Sequence, residues 1–390
     1  MLGNELKTKL QTRLTSDLVR KRRLLKPLSS SRVELEGSVL VNFSSSDYLG
    51  LSDDASIRQI YQRAHRNYPS GSSGSSLVTG FHPVHRDCEE QFAEYLGVER
   101  ALLLNSGYTA NLALLSALAS ADSQWIVDKQ IHASVYDAAK LAGLSLQRFK
   151  HNDVKHLQTC MSQSQKILHA VMVEGVYSMS GAMVDLNQVW ATVSANDANL
   201  FIDDAHALGV IGENGRGSLS YHGLETSKIS ALVCPLSKAF NSQGAVIAGK
   251  SDIIEAILQF SRPFIYATAI SPALANALTN SIDIVATADS KREYLNQLIA
   301  YFQGEVIKYD LPWGWRASRT PIQQLLLGCS KTALTLSEYL IERGFLCIPM
   351  RYPSVTKPET GLRVTLTSAH TQQDIDNFLS SIKAFHDTSY

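Results

Sequence analysis

Six short apolar runs separated by helix-like stretches constrain this chain more than any other feature. They fall at 101–104, 125–127, 170–173, 200–202, 231–234 and 245–248. Each is too short for a buried helix and lacks the alternation of a half-solvated strand, so each reads as a strand covered on both faces. Such strands alternating with helices predict an α/β fold, a mostly parallel central sheet with helices on both faces. Sheets of this kind collect ligands where their strands end at the carboxyl side. The polar segments that follow the runs therefore matter most: "NSGY" (105–108), "DKQIHAS" (128–134), "EGVYSMSG" (174–181), "DDAHA" (203–207) and "PLSKAF" (235–240). Any one of them is an ordinary turn composition. Five at one sheet edge point to a site.

The flanks have a different texture. Leu2, Leu6, Leu10, Leu14 and Leu18 recur every four residues, the stripe of an amphipathic helix that must pack on something and that runs into the basic cluster Arg20 to Arg23. That cluster reads first as a complement to the helix dipole and second as a clamp for a phosphate-bearing substrate. Beyond about residue 285, strand-like "GLRVTLT" followed by "SAHTQQDIDNFLSSI" predicts a strand and then a capped amphipathic helix, the makings of a smaller α+β domain. The expected organisation is an N-terminal helix and arm over 1–45 belonging to the small domain, a large domain over 46–285, and a C-terminal small domain over 286–390.

A chain of 390 residues, 45% of them hydrophobic, buries a sizeable core. Its 36 basic and 36 acidic residues cancel, so no global field recruits nucleic acid or an anionic membrane, and small-molecule chemistry is favoured. Five scattered cysteines without a CxxC pair predict reduced thiols, no disulfide framework and no metal site. Polar residues stand where a signal peptide would carry its apolar run, and no stretch of about 18 apolar residues occurs, so the expected location is the cytoplasm.

Lys238 is the residue that organises the rest. As a solvated loop lysine it needs no explanation, and taken singly that account is the better one. An amine held for covalent chemistry with an aldehyde cofactor needs companions: an acid for a ring nitrogen, a stacking group and a phosphate cradle. Each has a candidate. Asp203 follows one run and is suited to keep a pyridine nitrogen protonated, although a strand-end acid is more often a cap. His206, three residues on, is placed to meet the ring's phenolic oxygen. Ser106, Gly107 and Tyr108 lie at a strand-to-helix junction, where free N–H groups and the helix dipole suit a phosphate. His132 is a candidate to lie on the ring, and a structural histidine is at least as good a reading for it alone.

With these residues in hand, the chain resembles the α-oxoamine synthases of the fold-type-I pyridoxal-phosphate enzymes, nearly end to end. The likeness runs through "NFSSSDYLGLS" (42–52), "GSSGSSLVTGFHPVHRDCEE" (71–90), "NSGYTAN" (105–111), "HAS" (132–134), "HND" (151–153), "EGVYSM" (174–179), "DDAHALGVIGENGRG" (203–217), Lys238 and "RPFIYATAISPA" (262–273). The tail "IPMRYPSVTKPETGLRVTLTSAHTQQDID" narrows it to members that condense L-alanine with a pimeloyl thioester, on coenzyme A or an acyl carrier protein, in biotin biosynthesis. The resemblance implies pyridoxal 5'-phosphate as cofactor and a homodimer. It implies Lys238, His132, Asp203 and His206 as catalytic residues, with Ser106, Gly107, Tyr108, Ser178 and Thr268 completing the cofactor site. It further implies Arg363 at the amino-acid carboxylate, Arg351 and Ser354 near the pimeloyl chain, Arg20 near the thioester carrier, and Ser46 and His132 at the substrates. Guanidinium forks suit carboxylates.

The chain departs from that pattern in places. Pro235 stands where many relatives carry a threonine whose hydroxyl meets the phosphate. Ser46 replaces a common asparagine, Ser180 a common aspartate and Ala207 a glycine, and the stretch 239–244 is less glycine-rich. Ser237 or Thr268, the latter from a second subunit, is the expected substitute hydroxyl. Sister reactions remain open as alternatives, glycine C-acetyltransferase, aminolevulinate synthase and serine palmitoyltransferase among them. So does a non-catalytic partner subunit of the same fold, against which the joint retention of Lys238, Asp203 and His206 argues. A nucleotide-binding Rossmann protein is disfavoured because no GxGxxG opens the sheet's first helix.

Overall fold

The computed structural model describes residues 2–16, 18–164, 168–311, 313–316 and 318–389. The chain divides into two compact units, one of Met1–Gly50, Met179–Gly181 and Glu293–Tyr390, the other of Leu51–Ser178 and Ala182–Arg292.

The larger unit is built on a seven-stranded sheet. Its strands are β1 (Arg100–Leu104), β2 (Ser123–Asp128), β3 (Leu146–Phe149), β4 (Leu168–Glu174), β5 (Asn199–Asp203), β6 (Ala231–Pro235) and β7 (Ala245–Gly249), in the spatial order β1-β7-β6-β5-β4-β2-β3. β2 to β6 pair in parallel, and β7 runs antiparallel to both β1 and β6. All strands but β7 therefore end at one edge. Every residue of β6 and β7 is buried, which is why both read as unbroken apolar runs. Trp125 of β2 stacks on Phe201 of β5 at 5.1 Å in a core completed by Leu114, Val135, Val233 and Ile247. Burying each such large side chain contributes about 1.5–3 kcal/mol before the entropy of ordering it is counted.

Two strand features differ from the sequence expectation. The run at 245–248 is antiparallel, because the connection over 236–244 holds no crossover helix and a parallel return needs a dozen or more residues. β3 escapes the apolar-run criterion because it is an edge strand, and of its four residues only Phe149 is buried.

The smaller unit holds two four-stranded sheets. One comprises Leu25–Ser29, Arg32–Leu35, Ser38–Asn42 and Phe345–Leu346; the other comprises Gly314–Arg316, Ile322–Leu326, Gly361–Thr365 and Pro349–Met350. Phe43 stacks on Phe378 at 4.3 Å and on His370 at 4.4 Å. Burial lowers the His370 pKa to about 4, and the neutral ring donates from Nε2 to the Asn42 carbonyl. The strand expected in "GLRVTLT" is Gly361–Thr365, and the helix Gln372–Ser389 follows it. That helix opens with a reciprocal cap, Thr371 N–H donating to Asp374 Oδ2 and Asp374 N–H to Thr371 Oγ1.

The N-terminal leucine stripe behaves otherwise than expected. The helix Leu2–Thr15 buries none of its residues, and Leu2, Leu6, Leu10 and Leu14 are all exposed. It ends at Thr15, short of Leu18 and of the basic cluster, and the Thr15 hydroxyl donates back to the Gln11 and Thr12 carbonyls of its last turn. The basic residues therefore do not cap it.

Candidate active site

The C-terminal edge of the large sheet gathers the chemistry-bearing residues of that unit. β1 leads into the helix Gly107–Leu118, whose N-cap Ser106 accepts from Thr109 N–H through Oγ at 3.1 Å. The first-turn N–H groups of Gly107 and Tyr108 take no bond from the helix itself. Gly107 is required by packing: a Cβ there would stand 2.4 Å from Cγ of Pro235, the last residue of β6. The Pro235 ring thus wedges the end of β6 against the start of that helix. Tyr108 is exposed, and its hydroxyl donates to Asp137 Oδ2 at 2.6 Å, which raises its pKa.

Lys238 follows Pro235 in a tight turn and is half-buried. Its carbonyl accepts from Asn241 N–H at 2.8 Å, and Asn241 sits in the left-handed region at φ 46°, where asparagine is tolerated. Asp203 ends β5 and is 3% exposed. One carboxylate oxygen accepts from Asn111 Nδ2 at 2.8 Å and the other from Ala205 N–H at 3.1 Å. Each oxygen keeps acceptor capacity beyond these single bonds. His206 is buried two residues beyond Asp204. His132 follows β2, caps the helix Ala133–Leu141 and is exposed.

Ser178 lies beyond β4, where its N–H donates to Glu174 Oε2 at 3.0 Å. Thr268 is exposed; its carbonyl accepts from Asn105 Nδ2, and it bridges Ser75. Ser237 is exposed beside Lys238.

A half-buried amine, a buried acid with spare acceptor capacity and a helix start opened by glycine occupy one strand edge. That donor set fits a phosphorylated aldehyde carrying a basic ring nitrogen.

The remaining expected residues belong to the smaller unit. Arg363, 9% exposed on the strand Gly361–Thr365, donates from Nη2 to the Tyr48 hydroxyl at 3.3 Å. Arg20, Arg351 and Ser354 line one cavity of about 480 Å³ with Leu14, Leu18 and Met350, so guanidinium groups and apolar side chains line it together. Arg351 donates from Nη2 to the Val19 carbonyl at 3.2 Å. Ser46 is half-buried in the loop after Ser38–Asn42, and Ser180 is fully buried.

Sequence reasoning missed four polar residues at the large sheet's edge. Asp128 ends β2, is fully buried, and accepts from Gln130 N–H, His151 Nδ1 and Asn152 N–H. Glu174 ends β4, and burial, with Asp203 beside it, holds its carboxyl well above the usual range. Asn111 and Ser134, 1% and 0% exposed, lie within helices. The signal was available in part, since Asp128 and Glu174 are the first polar residues after their runs.

The chain matches the aminotransferase class I and II family model over residues 38–382. It is 36% identical to an 8-amino-7-oxononanoate synthase of Saccharophagus degradans over 385 residues, 98% of this chain and 96% of that one. Among solved structures, a serine palmitoyltransferase from S. paucimobilis with bound PLP is 25% identical with a TM-score of 0.91, covering 98% of this chain and 97% of that chain. An 8-amino-7-oxononanoate synthase from Francisella tularensis is 29% identical with a TM-score of 0.79, covering 90% of this chain and 99% of that chain. No described helix is long and apolar enough to cross a membrane. On these matches and this fold, the chain belongs to the aminotransferase class I and II family and, within it, to the α-oxoamine synthases.

Proposed function

We propose that the chain is a pyridoxal-phosphate-dependent acyltransferase that condenses L-alanine with a pimeloyl thioester. Carbon dioxide and the carrier thiol leave, and 8-amino-7-oxononanoate is formed, a step of biotin biosynthesis. The observation that carries the reading is the convergence of Lys238, the buried Asp203 and the Ser106–Gly107 helix start at one edge of the large sheet. When bound there, the cofactor supplies a cationic aromatic ring that draws electron density from the carbon bearing the amine.

The other tasks fall to the chain's own residues. Lys238 is the covalent tether and then the general base, taking the Cα proton at Nζ. Asp203 holds a proton on the ring nitrogen, and His206 donates toward the phenolic oxygen. His132 is the stacking partner and polarises the acyl carbonyl. Ser106, Ser178, Thr268 and the N–H groups of Gly107 and Tyr108 hold the phosphate. Pro235 offers no hydroxyl, so its part is to hold the helix start in place through Gly107. Arg363 takes the alanine carboxylate with Ser46 beside the substrates. The cavity lined by Arg20, Arg351 and Ser354 is of a size usual for small-molecule sites, and its apolar and guanidinium lining suits a seven-carbon acyl chain ending in a carboxylate. Coenzyme A and an acyl carrier protein are both anionic, and both suit the basic residues.

The test is spectroscopic and then chemical. Protein supplied with pyridoxal phosphate is expected to be yellow, with a band that borohydride abolishes and that Lys238→Ala lacks. Offered alanine, glycine or serine with a pimeloyl thioester, it should release carbon dioxide with alanine alone. A colourless protein sinks the cofactor assignment, and equal turnover of glycine or serine sinks the substrate assignment. The chain acts in the cytoplasm as a homodimer, with Thr268 serving the partner's site; sedimentation at the monomer mass refutes the dimer.

A further inference from the structure

Two contacts from one residue converge on a single nitrogen of His132. Its Nδ1 accepts from the Ser134 backbone N–H at 3.3 Å and lies 2.7 Å from Ser134 Oγ. A backbone N–H has only a proton to offer, so Nδ1 must present its lone pair. With Nδ1 accepting, the ring hydrogen belongs on Nε2, and the Ser134 hydroxyl is placed to direct its own proton to the same lone-pair side.

Behind Ser134 the chain of bonds continues. Ser134 Oγ accepts from Asn111 Nδ2 at 2.9 Å, and the same nitrogen donates to Asp203 Oδ2 at 2.8 Å. A carboxylate only accepts, so the amino end of the amide faces Asp203 and the orientation of Asn111 is determined. This arrangement leaves Asn111 Oδ1 buried with no partner among the described residues. A buried acceptor left unmet costs stability, and a small apolar residue in this helix would avoid that cost. Asn111 is better explained by the two donors it aims than by packing.

We propose that Asn111 and Ser134 are positioning residues that lock His132 in its Nε2–H tautomer and couple it to Asp203, so that the imidazole meets the substrates as a hydrogen-bond donor. The relay rests on the roles given above to His132 and Asp203. The order of donation is Asn111 to Ser134, then Ser134 to His132, with the outward proton on Nε2. No proton moves along it during the reaction. Its function is to keep the acyl-donor side of His132 protonated without charging the ring.

Histidine-selective ¹⁵N NMR on the cofactor-loaded protein and on the cofactor-free protein tests this directly, with the His132 signals assigned by their loss in His132→Asn. The wild type is expected to show one bare nitrogen, Nδ1, and one protonated nitrogen, Nε2. Ser134→Ala removes the 2.7 Å hydroxyl contact and leaves only the longer 3.3 Å backbone N–H on Nδ1, so the two shifts should move part of the way toward each other as the second tautomer gains population, while the remaining histidine signals stay in place and report an intact fold. For condensation, kcat should fall roughly tenfold with KM little changed, less than the hundredfold or more that losing a donor outright costs. Unmoved tautomer signals or an unmoved kcat in Ser134→Ala overturns the proposal. Because the tautomer is read without turnover, a protein that lacks the cofactor band would refute the functional reading and leave the relay measurable.

Discussion

The ends of β4 and β5 are neighbours in register, with Glu174 opposite Asp203, and both acids are almost wholly buried. They differ in what their oxygens meet. Glu174 meets backbone donors, accepting from Ser178 N–H in its own loop with the His132 backbone N–H also bearing on its carboxyl. Asp203 reaches outward from its strand to a side chain on another helix, Asn111, as well as to Ala205 N–H in its own loop. Burial and the adjacent Asp203 push the Glu174 carboxyl up, which favours its neutral form and suits it to act as a brace. Neighbouring buried carboxylates do not both ionise cheaply, and the cost falls on Glu174. One strand end builds the loop, and the next presents a charge.

Replacing the presented acid should have the largest consequence. Asp203→Asn keeps the shape and can still accept from Asn111, but it removes the negative charge that holds a proton on a ring nitrogen. We expect kcat for condensation to fall on the order of a thousandfold, about 4 kcal/mol of barrier, with thermal stability changed little because the group remains hydrogen-bonded. Steady-state kinetics on the cofactor-saturated variant measures it. A variant within tenfold of the parent would erase the distinction between the two strand ends.

Much of this edge was legible in the sequence because buried parallel strands announce themselves as apolar runs and the residues after them are few. Lys238, Asp203, His206, Ser106 and His132 all stand in those segments. Glu174 and Asp128 sit in the same segments, but a strand-end acid reads as an ordinary turn former until its burial is known. Asn111 carries no such marker, being an interior helical residue that only the folded helix brings to Asp203 and Ser134, whereas Ser134 stands in the segment 128–134 two residues after His132, where a serine in a first helical turn reads as ordinary capping chemistry. The reversal of β7 was illegible for another reason. An apolar run has no direction, and only the length and content of the connection before it decide which way it returns. The leucine stripe shows the converse case, since periodicity identified a helix but said nothing about what covers it.

The smaller effect belongs to the brace, and its sign follows from linkage. The folded-state pKa of Glu174 is raised above its ordinary value of 4.5, so below that pH both the folded and unfolded states are protonated and the group is neutral to stability. As pH rises above about 4.5, the unfolded chain ionises first and binds fewer protons than the native state, so stability declines until the folded carboxyl also ionises. Glu174→Gln cannot ionise and retains an oxygen for Ser178 N–H. Its unfolding free energy, measured by urea titration at a series of pH values, should match the parent in acid and exceed it increasingly above about pH 4.5. Turnover should stay within a few-fold of the parent, because on this account the proton on Glu174 is already present at working pH. If the two stability curves instead run parallel across the range, Glu174 is charged in the native state, and the two neighbouring acids cannot be divided into a brace and a presented charge.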